Sequence, residues 1–326
     1  DAVMEGVSYS CDGRLVAKLC GGVCLVGAGD GGGESVAIRH GARAILVQFS
    51  NKFVDDGRSE IKLAVCFQDG AVKIFVVKVD CYGSWSLADG EKECCTFVPF
   101  ESSMNTTTVK SCCFSEGSLV CATESGEIAI WDIESSAECE EVFRDRSTFG
   151  GNHNSSKILK VVSNPIIDSM WVVVGKSRGG KRNNFVSVWQ ENEQVDCWIP
   201  RGPSPIESIV DVAFSSKNPD LLVCLCDLGH RGGSCVTHYS CGKQAQPGYA
   251  INFGYDVAGM AASEEGFALV TRNGVVQYAT EIMGNREKLI ELDVKLDGEY
   301  KFSAVSKNGD KMVLGTDVAS YHLSFA

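Results

Sequence analysis

The chain has 326 residues, 44% of them hydrophobic and 22% charged, and its 42 acidic against 30 basic residues leave a net charge of −12. That length and apolar content suffice for a large core, in one big domain or two ordinary ones. An acidic balance with pI near 5.0 argues against a general nucleic-acid surface, which needs clustered Lys and Arg. The longest apolar runs, "AILVQF" and "MWVVVG", fall far short of the roughly 20 residues that cross a bilayer. No signal-peptide pattern is visible.

The first segment, "YSCDGRLVAKLCGGVCLVGA", reads as strand, Asp12-Gly13 turn, strand, Gly21-Gly22 turn, strand. It runs into "GDGGGES", so that Gly27, Gly29 and Gly32 take the spacing G-x-G-x-x-G. A dinucleotide site needs a helix N-terminus directly after such glycines. Here another short strand, "SVAIRHG", follows. The glycines are therefore expected to form a turn, supplying the positive φ that hairpins require.

Residues 109–132, "VKSCCFSEGSLVCATESGEIAIWD", are three apolar runs separated by the turns "SEGS" and "ESGE", and they close on Trp131-Asp132. The same frame recurs. Its first strand ends at Ser10, Ser50, Ser115, Ser163, Ser215, Ser263 and Ser306, with spacings of 40, 65, 48, 52, 48 and 43 residues. Its third strand recurs as "AVKIFVV", "FVSVWQ", "SCVTHYS", "VVQYAT" and "ASYHLSF". Strand-type residues with turn signals at this interval, and no sustained helical periodicity, indicate an all-β chain.

Residues 109–132 resemble one unit of the WD-repeat family, whose blades run strand, D-G turn, strand, turn, and a strand ending in Trp-Asp. Seven units averaging about 47 residues fit the length of that repeat. The resemblance implies a seven-bladed β-propeller of four-stranded blades spanning residues 1–326 as a single domain. One Trp-Asp pair survives, and the family's Gly-His dipeptide appears only reversed, as His40-Gly41, so the polar network usual in the family is expected to be mostly absent. The last unit stops after its third strand. Its outer strand is expected to come from residues preceding Asp1 or from the N-terminal residues 1–5, edge protection being the normal requirement of a soluble sheet, or else to be missing, leaving a template for strand addition.

Two motifs imitate chemical sites. In "GKSRGGKRNN" (175–184), Gly175 and Gly180-Lys181 have P-loop spacing, but Arg182 stands where magnesium binding demands Ser or Thr, and a strand follows. The basic residues Lys176, Arg178, Lys181 and Arg182 share this hairpin and form the candidate partner-binding site, for a carboxylate-rich or phosphorylated peptide. The segment 224–241 gathers Cys224, Cys226, His230, Cys235, His238 and Cys241. Zinc prefers C-x(2–4)-C pairs on turns, whereas Cys224 and Cys226 lie within a strand and face one way. Packed thiols and a hydrogen-bonded core histidine are expected, with no metal.

Insertions at 101–108 and 145–156 lengthen two connections, and "ESSAECEE" (134–141) adds an acidic edge. The sixteen cysteines, some adjacent (Cys94-Cys95, Cys112-Cys113), read as small buried hydrophobes in a reducing compartment. The sequons at Asn105 and Asn154 point the other way. Neither G-x-S-x-G nor H-E-x-x-H occurs, although carboxylate pairs for glycoside hydrolysis converge from distant blades and leave no local spacing.

The resemblance therefore implies a non-enzymatic, cytoplasmic or nuclear interaction scaffold within a larger protein assembly. No catalytic residue, cofactor, small molecule, nucleic acid or membrane insertion is expected. Two other functions remain open: a propeller hydrolase with carboxylates round the channel, and a peptide reader using the basic hairpin.

Overall fold

The computed structural model describes the chain except residues 1–3, 11–12, 30–33, 51–53, 56–58, 81–83, 89–94, 101–107, 134–139, 146–155, 178–182, 230–231, 242–246, 264–265, 272–274, 281–287, 307–310 and 325–326. The described elements are all strands, and every pairing between them is antiparallel, within seven successive sheets. Sheet 1 runs Met4–Tyr9, Leu15–Cys20, Val23–Ala28 and Val36–Ile38. Sheet 2 is built on Ala44–Phe49, Ser59–Phe67, Val72–Val79 and Cys95–Phe97. Sheets 3 to 6 repeat the plan, beginning at Ser111–Ser115, Ser156–Ser163, Ser208–Phe214 and Val257–Ser263. Sheet 7 has three strands among the described residues: Tyr300–Val305, Lys311–Thr316 and Ser320–Ser324.

The first strand of each sheet lies beside the first strand of the next, and Tyr300–Val305 meets both Val257–Ser263 and Met4–Tyr9. A core fills each gap between neighbours. Between sheets 3 and 4, for example, Ile128 and Ile130 pack on Trp171 and Phe185. Strand side chains alternate between faces, so a sheet sandwiched on both sides needs apolar residues at nearly every position. Met170–Ser177, with "MWVVVG" fully buried, shows this. Each such Val, Leu or Phe contributes about 1.5–3 kcal/mol. This radial stacking is a β-propeller, with six sheets of four or more strands as its full blades.

The recurring serine has a physical cause. At Ser10, Ser50, Ser215 and Ser306 the first strand ends where the chain turns back, and the serine hydroxyl accepts an amide of that turn or of the returning strand, whereas Ser115 Oγ donates to the Asp168 carbonyl at 2.7 Å. Ser10 Oγ accepts from Leu15 N–H at 2.9 Å, Ser50 from Lys62 at 3.1 Å and Ser306 from Lys311 at 3.1 Å. Ser215 Oγ accepts from the amides of Lys217 and Asn218. In sheet 4 the task passes to Asn164, whose Oδ1 accepts from Ile166 and Ile167.

Sheet 2 also carries two short strands, Val54–Asp55 and Trp85–Leu87. Two expectations need correcting. Of residues 1–5, Met4 and Glu5 do not complete the last sheet, since Met4–Tyr9 is the inner strand of sheet 1, paired with Leu15–Cys20; residues 1–3 lie outside the described residues. Cys95 is disulfide-bonded, so the cysteines are not uniformly free thiols, though the other eleven described ones are free.

Candidate functional site

The first strands converge on the propeller axis around a cavity of about 260 Å³. Its wall is apolar and hydroxylic, with Ser8, Gln48, Val162, Val212, Met260 and Ala304 among the residues facing it. Lys160 is the one charged residue among those described in the wall. Its Nζ lies 2.5 Å from Asp211 Oδ1 on the next sheet. Asp211 also accepts the amides of Val212 at 2.8 Å and, through Oδ2, Met260 on the sheet beyond at 3.3 Å.

Both members of this pair follow a β-bulge, between Ile158 and Lys160 in one strand and between Ile209 and Asp211 in the other. A bulge re-aims side chains that would otherwise alternate in register, here so that the two meet between neighbouring sheets. The carboxylate thus ties three sheets together. Held by a cation and two amides, it lacks the freedom of a general base.

The thiol-rich segment separates by face. Cys224, Cys226, Cys235 and Cys241 pack towards sheet 4, whereas the neighbours of His238, Val236 and Val223, pack towards sheet 6. Strand alternation puts His238 on that opposite side. No group of three or more His, Cys, Asp or Glu able to hold a metal occurs among the described residues. His230 lies outside the described residues.

Burial pushes the Cys224 thiol well up and Cys241 to about 12. The directly opposed pair Cys226 and Cys235 share a hydrogen bond, which lowers the Cys235 thiol and, with burial, raises Cys226. Protonated, enclosed thiols are poor nucleophiles. His238 is 5% exposed and its Nε2 has no hydrogen-bond partner. The expected hydrogen bond to that nitrogen is therefore not made, and desolvation lowers its pKa from 6.5 to about 4.

Of the basic hairpin, only Lys176 is described; Arg178, Lys181 and Arg182 lie outside the described residues. Lys176 is half-buried near the end of Met170–Ser177 and stands directly opposite Lys157. Lys157 extends the basic edge, and sequence spacing gave no sign of it, because the two are joined only by strand register. Lys157 pairs with Glu124 on the turn of sheet 3. Gly175, first glycine of the apparent P-loop, serves packing: a Cβ there would meet the Phe185 ring at 2.4 Å and the Lys157 carbonyl oxygen at 2.7 Å.

Of the other glycine-rich loop, Gly27 and Gly29 are described, and Gly32 lies outside the described residues. After Ala28 the chain returns as Val36–Ile38, paired antiparallel with Val23–Ala28. Gly29 donates its amide to the Arg14 carbonyl at 2.6 Å, and a Cβ there would lie 2.2 Å from the Gly13 oxygen. One polar link crosses the loop between sheets 1 and 2: His40 Nε2 lies 2.9 Å from Asp69 Oδ2, with its ring on Phe67.

No family model and no curated protein matches the chain. Solved structures do match it. One is a chain from a structure described as the "Crystal Structure of Mitotic Checkpoint Complex", with a TM-score of 0.69 at 13% identity, covering 99% of this chain and 89% of that one. The chain is a β-propeller. A chain from Kuenenia stuttgartiensis hydrazine synthase is nearly as similar, with a TM-score of 0.68 at 12% identity, covering 99% of this propeller and 96% of that chain. At such identities the likeness establishes the fold, and one fold carries unrelated functions.

Proposed function

We propose that this chain is a single WD-repeat-like domain whose three-stranded sheet counts as a seventh blade, and that it acts without chemistry of its own as a protein-interaction subunit of a larger intracellular assembly. The observation that carries this reading is the channel wall. A propeller hydrolase would present carboxylates around the axis, about 5–9.5 Å apart if it cleaved glycosides. Among the described lining residues there is no Asp, Glu, His or Cys, and the neighbouring Asp211 is held by Lys160 and two amides. The mitotic checkpoint neighbour belongs to a protein complex, which agrees with the reading, while the hydrazine synthase neighbour keeps the likeness from deciding it.

The basic edge favours a second reading, recognition of an acidic or phosphorylated peptide, because Lys157 and Lys176 stand side by side where hairpin 175–184 begins. Cross-linking of the protein in its native source, followed by affinity purification and mass spectrometry, tests both. The scaffold reading expects stoichiometric protein partners cross-linked at blade rims. A protein that elutes alone at its monomer mass with no cross-linked partner refutes it.

A further inference from the structure

At three successive junctions of the ring, the outermost strand of one sheet sends an aromatic ring onto the third strand of the next. Phe97 of Cys95–Phe97 stacks on Trp131 with centroids 4.3 Å apart. Phe143 of Glu140–Asp145 meets Trp189 edge-on at 5.9 Å, and Trp198 of Glu193–Trp198 meets Tyr239 at 5.0 Å. Sheet 7 has no such strand among the described residues. Its last strand, Ser320–Ser324, alternates exposed and half-buried positions and has none fully buried, whereas Ser234–Ser240 in sheet 5 is buried up to its last residue.

The face of sheet 1 that should be covered bears the mark of this gap. Cross-strand register places Val7, Lys18, Leu25 and Ala37 in one row facing sheet 7. Opposite runs the row Ala304, Val313 and His322, which ends where a fourth strand would begin. The inner ends of the two rows meet in a core with only Tyr9, Val16 and Val313 fully buried. At the outer ends, Leu25 and Ala37 stay half-open. Lys18, half-buried, reaches the His322 ring at 3.2 Å and pairs with no carboxylate among the described residues. Burial lowers its pKa, as expected for a cation that lacks a counter-ion.

We infer that the open edge Ser320–Ser324 takes up an extended segment of a second polypeptide, which adds antiparallel as the fourth strand, lays apolar side chains on Leu25 and Ala37, and places a carboxylate on Lys18. Backbone amides and carbonyls at a sheet edge provide the affinity in such strand addition, and alternate side chains provide the selection. Every described pairing in this protein is antiparallel, which sets the orientation. This inference rests on the protein-binding reading above and narrows it to one edge.

The test uses the whole chain with a labelled heptapeptide, TLTETLT, whose Leu and Glu positions alternate with Thr. Saturable fluorescence anisotropy is expected, together with slowed amide exchange across Ser320–Ser324. Replacing the peptide Glu by Gln should weaken binding about threefold to the wild type and leave binding to Lys18→Gln unchanged. Leu25→Glu should weaken it about tenfold or more. Absence of saturation at millimolar peptide, or exchange protection elsewhere only, overturns the inference. So does slow exchange, in the peptide-free protein, of those Ser320–Ser324 amides that point away from Lys311–Thr316, since the edge is then already filled by its own chain. Should partners cross-link at other rims while this edge stays empty, the inference fails and the scaffold reading stands; should none cross-link anywhere, both fail.

Discussion

His238 makes the sharpest prediction about the thiol-rich segment, because its burial sets a pH signature, and the response to zinc tells burial from metal ligation. In the unfolded chain the imidazole titrates at 6.5, and in the folded protein at about 4, because desolvation disfavours the cation. Above pH 6.5 neither state holds the proton and the group contributes nothing to pH dependence. As pH falls through 6.5 the unfolded state gains a proton that the folded state refuses, so stability drops until pH 4. Linkage puts the loss at about 2 kcal/mol between pH 7.5 and pH 5. Other groups titrate over the same range, so the measurement is a difference. Urea midpoints and slopes are taken at both pH values for wild type and His238→Met, and the wild type should lose about 2 kcal/mol more. Equal losses in the two proteins would refute the argument. So would a zinc-dependent rise in the wild-type midpoint that EDTA reverses, since binding to the native state alone stabilises it.

Trp171 is fully buried and stacks on Trp189 at 4.9 Å, so Trp171→Ala should cost about 3–5 kcal/mol, seen as a lower urea midpoint with an unchanged slope. Gly175→Ala drives a methyl into the Phe185 ring and should cost about 1–3 kcal/mol; nucleotide titration by calorimetry should give no heat with either protein, and saturable nucleotide binding would restore the P-loop reading. Asp211→Asn removes the counter-charge of Lys160 and should destabilise by about 1–3 kcal/mol, with part of the loss recovered in the double variant with Lys160→Met. Full additivity of those two substitutions in thermal melts would show that the 2.5 Å contact carries no coupling.

The strands and their repetition were legible because their causes are local. Alternating burial, glycines at positive φ such as Gly21 and Gly22 at 58° and 79°, and serines that accept the amides of their own hairpins all act within a few residues. A reader of the sequence could place Ile128–Asp132 or Ser234–Ser240 to within a residue or two. The thiol face was half legible: that Cys224 and Cys226 share a side follows from a period of two. That His238 lies on the side opposite Cys235 follows from the same period, but that its Nε2 finds no partner depends on what sheet 6 brings against it.

The Lys160–Asp211 pair, 51 residues apart, gave no signal. Both side chains follow a bulge, and a bulge is settled by the register of the strand opposite. The basic hairpin was visible as charge, but its neighbour Lys157 was not. Hydrophobic periodicity and turn chemistry in the sequence thus determined that the chain is all-β and built of repeated antiparallel units, since these act along the backbone at short range. Which residues face the axis, which faces of each sheet are covered, and that the edge Ser320–Ser324 meets no fourth strand among the described residues were decided only by stacking the units round a ring, because burial of a sheet face is a property of its neighbour.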